Sequence, residues 1–230
     1  MNHNKPVLVF DVIETIFSLD ALSRSFVSEG LSAHTKDVFF AQLLRDAFAT
    51  SATGAYVPFV EMARGTLQVL LTNAGVSSPE SATDRILPVF SQLEAHPDVK
   101  EALALAKDRG FDVLFFTNGS KHNTDALVEN NGLGDWVDHI FSIDDCQEWK
   151  PKEGAYRSAV ESIGREPADC AMIAAHAWDT SGAMNAGMLA GWVRRQDQTF
   201  HPAMTKPPHM SNNLVELVSA LAAPRYKAGD

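Results

Sequence analysis

The chain has 230 residues, enough for one sizeable hydrophobic core or for a core with a small inserted domain. Apolar residues at 45% and charged residues at 21% are the balance of an ordinary water-soluble globular fold. A formal net charge of -10 argues against a non-specific nucleic-acid binder, whose phosphate contacts need a basic surface, and offers nothing to an anionic membrane.

The chain opens with one lysine and then only four apolar residues, Val7 to Phe10, before an acid. That is too short for a signal peptide or a membrane span, so the expectation is a cytoplasmic protein. Val7 to Phe10 is continuous rather than alternating and rich in β-branched residues, the pattern of a strand covered on both faces of a parallel sheet. Residues 17 to 95 then read as helical. Helices are expected over Asp20 to Ser28 and Glu80 to Leu93, a stripe at Phe40, Leu44 and Phe48 has the spacing of one helix face, and Val60, Leu67 and Leu71 continue that period. Beyond them, short strand-like runs at Val113 to Phe116, Ile140 to Ile143, Ala171 to Ala174 and Ala190 to Val193 alternate with helical stretches. The helices fall at about Val99 to Arg109, His122 to Asn130, Gly154 to Ile163 and Thr180 to Ala186. Alternation of this kind predicts βα units. The expected fold is therefore α/β: a Rossmann-like parallel sheet in a core of residues 1-17 and 97-230, with an inserted all-helical cap over 18-96. Gln196 to Asn212 is expected to be irregular, followed by a last helix over Asn213 to Leu221.

Cys146 and Cys170 are far apart and outside any CxxC spacing, so they are read as buried reduced thiols. The histidines show no ligand spacing and no Gly-rich phosphate loop is present, so neither a metal nor a cofactor is assigned.

Ligands of an open parallel sheet gather at the carboxyl ends of its strands. Those ends read, in order, Asp11, then Thr117-Asn118-Gly119, then Lys150-Pro151, then His176 to Asp179. Taken together they supply a carboxylate, a hydroxyl with an amide, a cation and a second carboxylate. The segments VFDVIETIF, FFTNGS, FSIDDCQEWKPKEGAYRSA and HAWDTSGAMNAG resemble the four motifs of the haloacid dehalogenase superfamily, and most closely those of its type II 2-haloacid dehalogenases. The resemblance covers nearly the whole chain, including the position of the helical cap.

The resemblance implies that Asp11 displaces halide from a small haloacid and forms an ester that water then hydrolyses. Lys150 would keep Asp11 charged, since an adjacent cation favours a carboxylate. Thr15 would orient Asp11, or else cap a helix. Asp179 would orient Lys150 or polarise the hydrolytic water, and Tyr156 would support the site from the following helix and line the substrate pocket. Thr117 and Asn118 would hold the substrate carboxylate. Val12, Ile13, Phe40, Leu44, Phe59 and Trp178 are expected to line an apolar pocket. The likeness also implies a homodimer, formed through the cap helices.

Several positions depart from the family pattern. Ile13 stands where superfamily phosphatases carry a second Asp for proton transfer, and Ala174 where they carry an acidic Mg²⁺ ligand. Phe40 stands where the dehalogenases hold the departing halide with an arginine, with Arg45 more than a helical turn away. His176 replaces an asparagine, and a protonated imidazole next to Asp11 or Asp179 could supply the missing charge. A small-molecule phosphatase and a capped binding protein without turnover stay open as alternatives.

Overall fold

The computed structural model describes residues 5–222. The first strand, β1 (Val7–Asp11), is buried along its whole length, as its unbroken apolar run requires. It is followed by α1 (Asp20–Ser28), α2 (Thr35–Ala52), α3 (Phe59–Asn73) and α4 (Pro79–Ile86). Next come α5 (Val99–Asp108), β2 (Asp112–Thr117), α6 (Lys121–Asn130), β3 (His139–Ser142) and α7 (Glu153–Glu161). The chain continues through β4 (Cys170–Ala174), α8 (Ala177–Asn185), β5 (Leu189–Val193), β6 (His209–Ser211) and α9 (Leu214–Leu221). The fold is α/β, with a sheet of six strands in the order β3-β2-β1-β4-β5-β6 among the described residues. Every neighbouring pair in it is parallel. No described helix is long and apolar enough to cross a membrane.

This strand order places the site. From β1 the chain steps to β2 and β3 on one side, then returns to lay β4 on the other. The crevice where the order reverses lies at the carboxyl end of β1, and Asp11 is the last residue of that strand.

The helices between β1 and β2 pack on one another through an aromatic chain. Phe26 meets Phe39 at 5.8 Å between ring centroids, Phe39 meets Phe90 at 6.2 Å, and Phe90 meets Phe59 at 5.3 Å. The chain enters and leaves this helical segment through adjacent connections. Ser18 N–H donates to the Glu94 carbonyl at 2.9 Å, and His96 N–H to that of Ile16 at 2.9 Å. α2 is apolar on two faces: Phe39, Leu43 and Ala47 are fully buried among the helices. Phe40 and Leu44 face the crevice, and Phe48 meets Trp178 edge-on at 5.1 Å.

Three elements differ from expectation. The helix read over Glu80 to Leu93 is α-helical only to Ile86 and continues as a 3₁₀ turn over Leu87–Ser91. Pro88 lacks the N–H that an α-helix would donate four residues back. The helix read from Thr180 begins at Ala177, so Trp178 and Asp179 sit in its first turn. The tail read as irregular contains β6, whose partly exposed residues carry no apolar run and are held to β5 by backbone pairing. Cys170 is buried as expected, whereas Cys146 is only half-buried.

Gly182 lets α8 lie close against the segment that carries α7. A Cβ there would stand 2.6 Å from Tyr156 Oη and 2.7 Å from Pro151 Cβ. Gly182→Ala is therefore expected to destabilise the protein by about 1–3 kcal/mol through overpacking. Urea denaturation checks this as a lower midpoint at unchanged slope.

Candidate active site

Asp11 is 5% exposed, and both of its oxygens are engaged. Lys150 Nζ donates to Oδ1 at 2.7 Å, and Thr15 Oγ1 donates to Oδ2 at 2.6 Å. Thr15 in turn accepts from the Ala175 N–H at 2.9 Å, which ties the turn after β1 to the end of β4. Its hydroxyl thus serves Asp11 and does not cap a helix.

Lys150 is fully buried and uses all three of its donors. They go to Asp11, to Asp179 Oδ2 at 2.8 Å and to the Phe116 carbonyl at 3.1 Å. Burial works to strip its proton, but the charges of Asp11 and Asp179 outweigh burial and raise its pKa. Burial pushes the Asp179 carboxyl up, against the pull of Lys150 and Tyr156. Tyr156 Oη donates to Asp179 Oδ1 at 2.6 Å. Burial and that neighbouring carboxylate raise its pKa well above normal, so it stays a donor.

Above this charged floor lies a narrow cleft. Thr117, Asn118 and Gly119 form one side, immediately before the N-terminus of α6, whose positive dipole end is suited to an anion. Asn118 must present its Oδ1 to the Lys150 backbone N–H, 3.0 Å away, which leaves its NH₂ as the free end. Ile13, Phe40, Leu44, Phe59 and Trp178 supply apolar walls, and His176 completes them. Tyr56 Oη donates to Asp144 Oδ1, and Trp149 Nε1 donates to the Val57 carbonyl at 2.9 Å. Both bonds tie the α2–α3 connection to the loop that carries Lys150.

Residues 6–187 match the model of the haloacid dehalogenase-like hydrolases. The chain belongs to that family. It is 26% identical over 212 residues to an (S)-2-haloacid dehalogenase of Pseudomonas fluorescens, covering 91% of this chain and 93% of that protein. It is likewise 26% identical over 222 residues to (S)-2-haloacid dehalogenase 4A of Burkholderia cepacia, covering 96% of each. The solved L-2-haloacid dehalogenase of Xanthobacter autotrophicus superposes with a TM-score of 0.86 at 22% identity. That superposition covers 94% of this chain and 98% of that one. At such identity the superposition speaks for the fold: a haloacid dehalogenase-type core with a helical insertion after its first strand.

Nine of the residues expected from the sequence meet in the one cleft: Asp11, Ile13, Phe40, Leu44, Phe59, Thr117, Asn118, His176 and Trp178. Three assignments change within this family site. Val12 does not line the cleft; its side chain is fully buried in the core, since the chain turns straight after β1. Tyr156 does not line it either but stands behind Asp179. His176 is not paired with Asp11 or Asp179, because its Nε2 meets Glu14 Oε2 at 2.8 Å. Arg45 is no substitute for an arginine in the cleft, being 66% exposed and paired with Asp46.

Glu14 is a functional candidate to which sequence reasoning assigned no role, since it stands one place along from the second acid of the phosphatases. It is 8% exposed and adopts φ 67, a left-handed conformation that costs a non-glycine residue about 1–3 kcal/mol. Its N–H donates to the Phe17 carbonyl at 2.8 Å, and its own carbonyl accepts from His96 Nε2 at 3.1 Å. The one available signal was an acid beside Thr15 in a turn otherwise apolar. No glycine or asparagine marks the left-handed geometry that aims it at His176. Among the described residues, no group of three His, Cys, Asp or Glu is placed to hold a metal ion.

Removing the cation while keeping its bulk, Lys150→Met, leaves Asp11 and Asp179 buried without their shared partner. A loss of about 3–5 kcal/mol is expected at neutral pH. Chemical denaturation measures it, and an unchanged midpoint would show that the triad is not held together by charge.

Proposed function

We propose that the protein is a 2-haloacid dehalogenase that displaces halide from C2 of a short (S)-2-haloalkanoic acid and releases the (R)-2-hydroxy acid. The observation that carries this reading is the setting of Asp11. It is the one acid among the cleft-lining residues, held on both oxygens by buried donors beneath apolar walls.

Thr117 Oγ1 and the Asn118 NH₂ hold the substrate carboxylate at the mouth of α6. An Asp11 oxygen attacks C2 from the side opposite the halogen, which inverts that centre. The dry walls favour the step, since a carboxylate nucleophile is slow while hydrated. Water then attacks Cγ of the Asp11 ester, and the alcohol leaves with the oxygen that Asp11 contributed. Asp179 has both oxygens engaged by Lys150 and Tyr156, so its part is to hold the Lys150 ammonium in place. Ile13 and Ala174 carry no group that could relay a proton or bind a hard cation, which sets phosphoryl transfer behind this reading.

The reading extends to the assembly. Residues 18-96 act as a cap over the cleft, and the active form is a homodimer through the cap helices, where Val38, Val60 and Val69 are apolar and exposed. The free thiols Cys146 and Cys170 fit a reducing cytoplasm.

Asp11→Asn is expected to reduce chloride release from (S)-2-chloropropionate to the uncatalysed level, measured by ion chromatography; full retention would sink the proposed nucleophile. A single turnover in ¹⁸O-water with enzyme in excess is expected to label Asp11 and leave the first hydroxy acid unlabelled. Label in that first product instead would mean direct attack by water.

A further inference from the structure

The cleft-lining residues include no lysine or arginine, and Phe40 occupies the wall from which a halide-binding cation is expected. Their one group able to carry positive charge is His176. Its ring stacks on Trp178 at 5.3 Å and 23°, and lies 6.2 Å from the Phe40 ring. The stacked indole face of Trp178 favours a cationic ring beside it. Nε2 is held by Glu14, whereas the other nitrogen, Nδ1, is buried with no hydrogen-bond partner among the described residues. An unpaired buried polar atom in a cleft-lining ring calls for an explanation. So does Glu14, a strained residue whose backbone is pinned on both sides so that its carboxylate meets this ring.

We propose that Glu14 and His176 form the leaving-group donor of this site, with Nδ1–H directed at the departing halide. The proposal rests on the dehalogenase reading above. An arginine would bring net positive charge, which serves any anion. The Glu14–His176 pair is neutral overall and brings one localised charged N–H. It therefore serves small, hard acceptors of hydrogen bonds, with fluoride first and bromide last. In the displacement an Asp11 oxygen bonds to C2 while the C2–halogen bond breaks, and its electron pair leaves with the halide, which accepts the hydrogen bond. Hydrolysis then adds the oxygen of water to Cγ of Asp11. The product alkoxide takes one proton of that water, and the second leaves with the halide.

Burial alone would drive the proton off His176, but the hydrogen bond and charge of Glu14, with Asp11 and Asp197 behind it, leave its pKa raised. The donor is therefore present below that raised pKa and is lost as pH rises through it. Glu14→Gln keeps the volume and removes the charge, so it is expected to move the alkaline limb of kcat to lower pH.

The test compares wild type, Glu14→Gln and His176→Phe. Release of halide from 2-fluoro-, 2-chloro- and 2-bromopropionate is measured, together with chloride binding by ³⁵Cl line broadening in the absence of substrate. His176→Phe is expected to lower fluoride release by roughly ten- to a hundred-fold, the worth of one charged hydrogen bond, and bromide release by much less. Both variants are expected to weaken chloride binding. Equal losses with all three halogens, or chloride binding unchanged in both variants, would overturn the donor. A wild type that binds chloride through His176 yet releases no halide from any haloacid overturns the dehalogenase reading and leaves the anion donor standing. Should His176→Phe not fold, the isosteric Glu14→Gln decides alone, and an unmoved alkaline limb counts against the pair.

Discussion

One buried ammonium organises the molecule. Lys150 reaches Asp11 and Asp179 at 2.7 and 2.8 Å with no exposure of its own, and a charge in that position is tolerable only when fully answered. Answering it requires the ends of β1 and β2, the first turn of α8 and the loop before α7 to meet at one point. The fold supplies that point where strand order reverses. Tyr156 completes the arrangement by engaging the last oxygen of Asp179, and Gly182 allows the close approach on which that bond depends.

The same charges lie beneath apolar walls. Apolar walls from α2, α3 and α8 lower the local dielectric, which strengthens every interaction with Asp11 and removes the hydration that would blunt it. The wall from α2 exists because that helix has two apolar faces. One builds the interior of the helical segment through Phe39 and Leu43, and the other closes the cleft through Phe40 and Leu44. Polar contacts from Tyr56 and Trp149 hold the wall in place, so access of water and the position of Lys150 are set by the same loop.

A second ionisable pair, Glu14 and His176, lies beside the first, joined at 2.8 Å. Lys150 is consumed in holding carboxylates, with every donor occupied. His176 retains a nitrogen without a hydrogen-bond partner among the described residues. On the proposed reading, the site divides its cations between one that fixes Asp11 and one that is open to the leaving group.

Much of this was legible along the chain. Continuous apolar runs ending in Asp11, Thr117 and Ala174 announce buried parallel strands, because a strand covered on both faces needs apolar residues at successive positions. Polar residues immediately after those runs mark the ligand end of the sheet, and the order of the four clusters carries the family resemblance. The limits came from interactions that leave no local pattern. Strand β6 is held by backbone pairing with β5, so its half-exposed His209-Met210-Ser211 has no apolar signature. Val12 and Tyr156 belong to the right motifs, yet the turn after β1 and the packing of α7 on α8 direct them into the core and behind Asp179. Sequence alone determined the chemistry on offer: a carboxylate, a cation, an amide and a histidine at the ends of parallel strands. Tertiary structure decided which charge answers which, because pairing depends on distances across the chain. Glu14 meets a ring 162 positions away through a backbone angle that no residue type there foretells.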